Sequence, residues 1–467
     1  MNSILETIPE YDVVVLGAGI AGLSTSVAAA QAGLRVALLE KTVNIGGSSA
    51  MSGGFFAFSG TDEQTAAGVE DSEELFLHDL LEVGSHANDP KLLKAYLNNQ
   101  QATYQWLKDL GITFSTLELS SGQSTARSHL SPIKDLLAKL QASLAEQGGA
   151  LFTEHAATAL TRGRSGRVNG VTALGPDGAT SFRTRGGVVI ASGGFSRGTD
   201  LLRTFAPEQL AALPYGGIGN TGDGLKMAWK LGAGLADMAY ISGTYGSHPA
   251  TGMDFHELLT AYYMGAIIVN KHGRRFTDES QSYKTLGAAT LTQPEGLGFE
   301  IFDSVVRARS HPGVPLNDVG FLEDIGHVIK ADSLEELAAE AGIDVPGLLA
   351  TVETYNNAVG GKIEDEFART ALCNGVGELV PISKAPFYAY PAKTLMTSTY
   401  CGITITPEAR VTAVDGEVIP GLYAVGEVTG GFHGAAYMTG TSLGKGAVFG
   451  RIAAATIAQE LATVPRN

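Results

Sequence analysis

The chain has 467 residues, which favours two domains over one continuous core. Its formal net charge of −16 argues against a nucleic-acid partner, because phosphate binding needs clustered Lys and Arg, and it equally disfavours an anionic membrane surface. The two cysteines, Cys373 and Cys401, offer neither a disulfide framework nor a metal-ligand spacing. Residues 1–10 show no signal peptide and no apolar run is long enough for a membrane span, so we expect a cytoplasmic protein without a metal.

The N-terminal segment predicts a βαβ unit. Residues 11–16 are apolar and β-branched, as in a buried strand, and residues 20–32 form an alanine-rich helical stretch that ends at Gly33. A second apolar strand covers residues 35–39 and ends at Glu40. We therefore expect two parallel strands joined by one helix.

A glycine turn, Gly17-Ala18-Gly19-Ile20-Ala21-Gly22, joins the first strand to the helix. Gly17 permits the tight turn, Gly19 lets the backbone approach a diphosphate, and Gly22 lets the helix pack closely on the strand. The diphosphate is expected at the helix N-terminus, with Glu40 accepting hydrogen bonds from a ribose. The turn therefore predicts a dinucleotide site, the alternative being a purely structural glycine turn.

The rest of the chain predicts a second domain inserted into the first. Helical patterns cover residues 72–110 and 133–147, strands lie around 151–160, 168–173 and 184–190, and a helix follows the Asn220-Thr221-Gly222-Asp223-Gly224 stretch. Aromatic residues, histidines and prolines increase between 241 and 391, and the α/β pattern returns at 421–427 before a helix over 443–461. We expect a discontinuous domain of 1–240 and 392–467 and a capping, substrate-binding domain of 241–391.

Several motifs in one order resemble the flavoprotein subunits of fumarate reductases and succinate dehydrogenases, a family that includes the 3-ketosteroid dehydrogenases. The resemblance covers essentially the whole chain and rests on the glycine turn and on these segments: Gly46-Gly47-Ser48-Ser49, Ala191-Ser192-Gly193-Gly194-Phe195, Thr221-Gly222-Asp223-Gly224, Gly273-Arg274-Arg275-Phe276 and Tyr423-Ala424-Val425-Gly426-Glu427. It implies an α/β fold, with a Rossmann-like FAD-binding domain of the glutathione-reductase type and an inserted α+β capping domain.

The resemblance also implies FAD as the cofactor. In membrane-bound relatives a histidine in the loop after the residue matching Glu40 is linked covalently to FAD. This loop offers Ser48 and Ser49 and no histidine, so the FAD is expected to be noncovalent. The expected cofactor-binding residues are Gly17, Gly19, Ala21, Gly22, Glu40, Lys41, Gly46, Gly47, Ser48, Ser49, Gly53, Gly54, Ala157, Ala191, Ser192, Gly193, Asp223, Gly426, Glu427, Ser442 and Leu443.

Two tyrosines replace the arginines with which the dicarboxylate-specific relatives bind and protonate their substrate. Tyr283, seven residues after Phe276, and Tyr437, before Gly440, stand at those positions. A phenol cannot replace a bidentate arginine clamp without loss of carboxylate affinity. The pattern resembles the ketosteroid dehydrogenases, in which a tyrosine hydroxyl and a glycine N–H bind the ketone oxygen. That resemblance assigns Tyr437 and Gly440 to the ketone oxygen.

The same resemblance assigns Tyr283 to removal of the α-proton while the β-hydride moves to flavin N5. Tyr262 or Tyr263 is a candidate for assisting this base, and His248 resembles a substrate-facing histidine. Packing roles remain the alternative for all of these residues, and more so for Tyr262, Tyr263 and Tyr400.

The expected activity is α,β-dehydrogenation of a ketone, with cyclic ketones as the expected substrates and electrons passing to an external acceptor. The alternatives are an enoate or enone reductase of the soluble fumarate reductase type, and a flavin-binding subunit without its own substrate. The sequence identifies neither the ketone nor the acceptor.

Overall fold

The structure, a computed structural model, describes residues 10–120, 122–241, 243–252, 257–313, 316–372 and 377–463, and Cys373 lies outside these ranges. The strands are β1 (Glu10–Leu16), β2 (Val36–Leu39), β3 (Phe55–Ala57), β4 (Thr116–Glu118), β5 (Ser128–Leu130), β6 (Ala150–Phe152), β7 (Ala156–Arg162), β8 (Val168–Gly175), β9 (Gly178–Ile190), β10 (Leu213–Pro214), β11 (Leu235–Ala236), β12 (Thr244–Ser247), β13 (Ile267–Val269), β14 (Leu297–Asp303), β15 (Ile329–Ala331), β16 (Phe387–Met396), β17 (Gly402–Ile403), β18 (Arg410–Thr412) and β19 (Val418–Ala424).

The α-helices are α1 (Ile20–Gln31), α2 (Gly47–Ala50), α3 (Asp62–Ala66), α4 (Glu73–Val83), α5 (Pro90–Asp109), α6 (Ile133–Glu146), α7 (Thr199–Phe205), α8 (Asp223–Lys230), α9 (Ala261–Met264), α10 (Tyr283–Leu291), α11 (Ser304–Arg307), α12 (Val319–Asp324), α13 (Leu334–Ala341), α14 (Val345–Val359) and α15 (Thr441–Thr463). Short 3₁₀ turns cover Pro207–Ala211, Pro294–Gly296 and Gly426–Val428.

The chain divides into two compact units. The first comprises residues 1–205, 216–241 and 398–467, and the second comprises 206–215 and 242–397. The expected limits lay at 240/241 and 391/392, and the presence of 206–215 in the second unit was not predicted from the sequence.

A parallel sheet forms the centre of the first unit. Five strands run parallel in the order β6-β2-β1-β9-β19, β18 pairs antiparallel with β19, and β7 and β8 continue antiparallel from β9. Val13, Val14 and Val15 of β1 are fully buried, as expected for a strand covered on both faces. This arrangement confirms the expected mixed α/β fold with a parallel sheet.

The structure corrects the continuous helical pattern predicted over residues 72–110. The chain forms α4 and α5, separated by a turn in which Ser85 and His86 have φ of +52° and +54°. Asp89 caps the second helix by accepting a hydrogen bond from the Lys91 N–H at 2.8 Å, and Pro90 follows at its first position. Proline has no N–H to donate to a preceding turn, so the helix restarts there.

The second unit is built on a six-stranded sheet with β14 and β16 paired antiparallel at its centre. Phe299 and Ile301 of β14 pack on one face, and Phe302 packs on the other. Glu300 shares the face of Phe302, is fully buried, and breaks the apolar pattern. Its surroundings are described with the site below.

A buried ion triad stabilises the first unit. The fully buried Arg127 donates to Asp71 at 2.6 Å and to Asp79 at 2.7 Å, and both carboxylates are nearly inaccessible to solvent. Burial favours a raised pKa of Asp79, but hydrogen bonds from Arg127 and Ser124 outweigh it and lower that pKa. The stabilisation is therefore present above the ordinary carboxyl pKa and is lost as the pH falls through the lowered pKa of the folded state.

Replacing Arg127 with methionine should lower the free energy of unfolding by about 3 to 5 kcal/mol, because two buried carboxylates lose their counter-charge. Arg35→Met is the control: that side chain is 63% exposed and lies 3.8 Å from Asp12, so the loss should be about 1 kcal/mol or less. Urea denaturation at pH 7 measures both. Equal losses for the two variants would contradict the role given to the triad.

Candidate active site

The turn after β1 leaves the N-terminus of α1 open. Gly17 has a φ of +103°, and a Cβ at Gly22 would lie 1.8 Å from the carbonyl oxygen of Gly17. Only glycine at position 22 therefore allows the helix to approach the turn this closely. Gly19 precedes the helix without a side-chain cap, and the first turn holds no acidic residue. The N–H groups at the start of α1 and the helix dipole therefore favour an anion at this end of the helix.

Glu40 and Ser49 surround this helix N-terminus. One carboxylate oxygen of Glu40 accepts from the Ala18 N–H at 2.9 Å, and the other accepts from the N–H and hydroxyl of Thr42 at 2.9 Å. The Ile20 N–H donates to the Ser49 hydroxyl oxygen at 3.1 Å. The oxygen that accepts from the Ala18 N–H has a second lone pair, so Glu40 keeps acceptor capacity for a further hydroxyl group.

The side chain of Asn220 joins three of the predicted segments. Its amide nitrogen donates to Ser48 at 3.2 Å and to Glu427 at 3.1 Å, and its oxygen accepts from the Ser196 N–H at 2.7 Å. The other carboxylate oxygen of Glu427 accepts from the Thr399 N–H at 2.9 Å. The roles of Asn220 and Thr399 were not predicted from the sequence. The position of Asn220 directly before Thr221-Gly222-Asp223 was the one signal that pointed to its role.

Lys41 and Asp223 form a second link between distant segments. The Lys41 ammonium lies 2.6 Å from the Asp223 carboxylate and 2.7 Å from the Thr221 hydroxyl. Asp223 is the first residue of α8, which follows Gly222 with a φ of +76°. The lysine thus fixes the loop after β2 against the start of α8.

The other predicted cofactor residues of the first unit lie in its loops and at the ends of its helices. The Gly46 N–H donates to the Ala18 carbonyl at 2.9 Å, and α2 begins at Gly47. Gly53 and Gly54 follow α2 in the same loop, Ala157 is half-buried on β7, and Gly426 lies against Ala21 of α1. Ala191 and Gly193 follow β9, whereas Ser442 and the buried Leu443 lie in the first turn of α15.

These residues fit a bound dinucleotide on two structural grounds. The N-cap residue of α1, Gly19, has no capping side chain, which leaves room for a diphosphate at the helix N-terminus. The Ser192 hydroxyl is buried in the same unit and has no hydrogen-bond partner in the described part of the chain. A buried hydroxyl without a partner is costly, so a ligand group at Ser192 is expected.

A cluster of aromatic rings precedes α15. The rings of Tyr400 and Tyr437 stack with centroids 4.4 Å apart at 18°, and His433 packs edge-on against Tyr400 at 5.0 Å. Burial raises the pKa of Tyr437, while hydrogen bonds from Tyr400 and Thr439 act in the opposite direction. Both tyrosine side chains are half-buried, so they retain exposed surface.

Gly440 lies three residues after Tyr437 with a φ of +88°, and a Cβ there would lie 2.7 Å from the Ala57 nitrogen. Its carbonyl accepts from the Ala57 N–H at 3.0 Å. Over the residues that the structure describes, the Gly440 N–H has no acceptor. This N–H and the Tyr437 hydroxyl are two donors on one short loop.

In the second unit, Tyr283 is the first residue of α10, and its N–H donates to the Tyr263 hydroxyl at 3.1 Å. Tyr263 lies on α9, whose start is held by the Glu300 carboxyl accepting from the Ala261 N–H at 2.8 Å. Arg369 donates to the carbonyl of Tyr262 at 3.0 Å. Tyr283 is therefore tied to a short helix that buried polar groups hold from both sides.

Tyr262 is more deeply buried than its neighbour Tyr263. Its side chain is fully buried against Tyr245 and Tyr263, with ring centroids at 5.6 Å and 4.4 Å. It therefore has no surface for a substrate, and Tyr263 is the tyrosine of the pair that contacts Tyr283. Burial raises the pKa of Glu300 well above the ordinary carboxyl value.

His248 stacks on His327 in the second unit, with ring centroids 3.8 Å apart at 7°. Burial and the adjacent His327 lower the pKa of His248 to about 4. Its Nδ1 accepts from the Ala250 N–H at 3.1 Å. At neutral pH it is therefore an uncharged imidazole and cannot act as a cationic group.

Over the described ranges, no helix is long and apolar enough to cross a membrane, and no group of three His, Cys, Asp or Glu residues could hold a metal. Cys401 is buried, and burial raises the pKa of its thiol.

Comparison with known proteins gives consistent matches. A family model described as "FAD binding domain" matches residues 12–443. The chain is 31% identical over 448 residues to a probable fumarate reductase of Shewanella frigidimarina (strain NCIMB 400), covering 94% of this chain and 74% of that protein. It is 30% identical to the NADH:fumarate oxidoreductase of Klebsiella pneumoniae (strain 342), of which it spans about half, 47%.

A relative of similar length is the 4-oxocyclohexanecarboxylate 2-dehydrogenase of Sinomonas cyclohexanicum, at 29% identity over 97% of this chain and 93% of that protein. Among solved structures, the open conformation of a flavocytochrome c3 fumarate reductase matches with a TM-score of 0.82 and 30% identity, over 96% of this chain and 78% of that chain. The 3-ketosteroid-Δ4-(5α)-dehydrogenase of Rhodococcus jostii RHA1 matches with a TM-score of 0.77 and 26% identity, over 98% of both chains.

These matches confirm the resemblance drawn from the motifs, and with it FAD as the cofactor. The chain belongs to the FAD binding domain family that includes the fumarate reductases, and it is an FAD-dependent oxidoreductase.

Proposed function

We propose that this flavoprotein is a dehydrogenase that introduces a double bond α,β to the carbonyl of a cyclic ketone. The observation that carries the proposal is the pair of donors on one loop, the Tyr437 hydroxyl and the Gly440 N–H, where dicarboxylate enzymes of the family have an arginine. Two neutral donors suit a ketone oxygen, whose charge develops only as the reaction proceeds. The similarity to a 4-oxocyclohexanecarboxylate dehydrogenase supports a cyclic substrate.

Each tyrosine has a separate task in this reaction. Tyr437 and the Gly440 N–H bind the ketone oxygen and stabilise the enolate, which makes the α-proton acidic. Tyr283, as the phenolate, receives that α-proton, and its position is fixed by the bond from its N–H to Tyr263. Bound FAD supplies the two-electron acceptor for the β-hydride, and an external acceptor then removes the electrons.

The cofactor is held noncovalently by the loops around α1. Gly17, Gly19 and Gly22 let the backbone approach the diphosphate. Glu40 accepts hydrogen bonds from a ribose, and the Ser192 hydroxyl forms a hydrogen bond with the ligand. Asn220 acts indirectly, since it holds Ser48 and Glu427 in place. The second unit is the substrate-binding cap in this proposal.

A second candidate is reduction of an enone or enoate by the same groups in reverse. The fumarate reductase relatives favour this direction. In that case Tyr283 gives a proton to the α-carbon, and the Tyr437 loop binds the carbonyl oxygen of the acceptor. A dicarboxylate remains a poor substrate, because neither position 283 nor position 437 carries a guanidinium.

Anaerobic stopped-flow mixing of the oxidised holoenzyme with monocyclic ketones, steroid ketones and dicarboxylates tests the function. The ketones should bleach the flavin and succinate should not. Flavin reduction by succinate alone would show that the tyrosine assignment is wrong. Reoxidation of the reduced enzyme by cyclic enones, without ketone-driven bleaching, would select the reductase.

Asn220→Ala should weaken FAD binding roughly tenfold, because it removes the bonds that fix Ser48 and Glu427. Asn169→Ala, on the exposed side of β8, is the matched control and should leave the affinity unchanged. Calorimetric titration of the apoprotein with FAD measures both dissociation constants. The role given to Asn220 in fixing Ser48 and Glu427 is contradicted if Asn220→Ala binds FAD as tightly as the control.

Tyr437→Phe should lower the rate of ketone-driven flavin reduction about a hundredfold, since one donor to the developing oxyanion is lost while the ring stack on Tyr400 remains. Tyr104→Phe, which removes a hydroxyl paired with Glu63, serves as the control. The rate constant at saturating ketone is the quantity to compare. A change in substrate affinity alone would contradict transition-state stabilisation by Tyr437.

Tyr283→Phe should abolish exchange of the ketone α-proton with D₂O, and flavin reduction should fall by roughly a hundredfold or more because the base is missing. Tyr388→Phe keeps its stack on Phe302 and is the control in the same unit. Proton NMR of the recovered ketone reports exchange. Undiminished exchange in Tyr283→Phe would show that a residue other than Tyr283 removes the α-proton.

A further inference from the structure

The carbonyl of Thr439 accepts a hydrogen bond from a side chain that is far away in the sequence. The Nε2 amide of Gln123, 316 positions earlier, donates to this carbonyl at 3.0 Å. The peptide between Thr439 and Gly440 is trans, so its carbonyl oxygen and the Gly440 N–H belong to one planar group. A bond that holds the Thr439 carbonyl therefore also fixes the direction of the Gly440 N–H.

The Gly440 N–H is a donor that the folded chain leaves to another group. Within the parts of the chain that the structure describes, nothing accepts a hydrogen bond from it. The residue is buried, and its own carbonyl accepts from the Ala57 N–H at 3.0 Å. The peptides on both sides of the Gly440 Cα are thus each held through their carbonyl oxygens, and the N–H between them is available to an oxygen of a ligand.

The side-chain amide of Gln123 is held in one orientation. Its Oε1 accepts from the N–H groups of Ser120 and Arg127, each at 3.2 Å. Its Nε2 donates to the Ser128 hydroxyl oxygen at 2.8 Å as well as to Thr439. Backbone N–H groups only donate and a carbonyl only accepts, so turning the amide over would leave these groups unsatisfied. The donor of Gln123 therefore stays directed at Thr439.

The loop that carries Gln123 is fixed by the buried ion triad. Asp79, which pairs with Arg127, also accepts from the N–H and the hydroxyl of Ser124 at 2.9 and 2.8 Å. Ser124 directly follows Gln123 in the chain. The charged group that stabilises the first unit thus also sets the place from which the Gln123 side chain extends.

We propose that Gln123 is a positioning residue that fixes the peptide between Thr439 and Gly440, so that the Gly440 N–H is directed at a ligand oxygen. The proposal rests on the proposed function, in which that oxygen belongs to the ketone. A bond to the carbonyl also polarises the peptide, so its N–H becomes a stronger donor as charge develops on the ligand. A packing role needs only the size of Gln123, whereas this role needs its Nε2 donor.

NMR of the oxidised, FAD-loaded enzyme without ketone tests the bond from Gln123. Carbonyl-¹³C threonine with ¹⁵N glycine gives correlated signals only from Thr-Gly pairs, which stand at 221–222, 251–252, 429–430 and 439–440. Thr439→Ser identifies the last signal, because it removes the labelled carbonyl. Gln123→Met keeps the length of the side chain and removes the donor, so the signal of 439–440 should move while the other three stay.

Ser128→Ala is the matched control, because it removes the other bond of the same Nε2 and leaves the bond to Thr439. An unmoved 439–440 signal in Gln123→Met would overturn the proposal, as would an equal movement in Ser128→Ala. If Gln123→Met does not retain FAD, Gln123→Glu decides by the same criterion. Its carboxylate keeps an acceptor for the neighbouring N–H groups and offers no donor.

Stopped-flow kinetics separates positioning from packing. In Gln123→Met the rate constant of flavin reduction at saturating ketone should fall about tenfold, because the donor to the developing oxyanion is no longer aligned, while the half-saturating ketone concentration stays the same. An unchanged rate constant beside a moved signal would overturn the positioning role. A moved signal in an enzyme that no ketone reduces would sustain the fixing of the Gly440 N–H by Gln123 and reject the proposed function.

Discussion

The close approach of α1 to the glycine turn is the constraint on which the first unit depends. Since a Cβ at Gly22 would lie 1.8 Å from the Gly17 carbonyl, two bare backbone segments must meet there. The contact directs the N-terminal N–H groups of α1 at a point where the N-cap residue, Gly19, has no capping side chain, while the Ile20 N–H donates to Ser49. Unsatisfied donors in that position favour a ligand with negative charge. In the proposed function, the cofactor completes this helix.

The loops around that point are joined by polar side chains rather than by apolar packing. Asn220 contacts Ser48, Ser196 and Glu427, and Lys41 pairs with Asp223. Hydrogen bonds are directional, so they fix loops to within tenths of an ångström, whereas apolar contacts tolerate sliding. In the second unit, Glu300 and Arg369 hold α9 in the same manner. In both units, polar groups whose partners are far away in sequence therefore hold the loops that carry the predicted site residues.

The difference between local rules and polar contacts over long sequence separations explains what could be predicted from the sequence. The strand of residues 11–16, the helix after it and the glycine turn follow local rules of burial period and backbone sterics, and the structure has them as β1, α1 and an open helix N-terminus. The break at Pro90 was missed, although Gly84 and the Asn88-Asp89-Pro90 run are signals for the end of one helix and the start of another. The role of Asn220 was missed for another reason: its partners lie up to 207 residues away, and no local pattern encodes them. The pairing of Tyr283 with Tyr263 rather than Tyr262 depends on which face of a four-residue helix is buried.

The chemistry of the Tyr437 loop follows from how neutral donors discriminate between substrates. A guanidinium binds a carboxylate in the ground state and in the transition state alike, because the charge is present throughout. A phenol and an N–H gain most when charge appears on a neutral carbonyl, so their contribution is concentrated in the transition state. Exchanging arginine for tyrosine thus weakens binding of the substrate in the ground state and concentrates the interaction energy in the transition state, where it raises the rate. In the proposed function, tyrosines at positions 283 and 437 suit this chain to ketones, whereas arginines at those positions suit relatives to dicarboxylates.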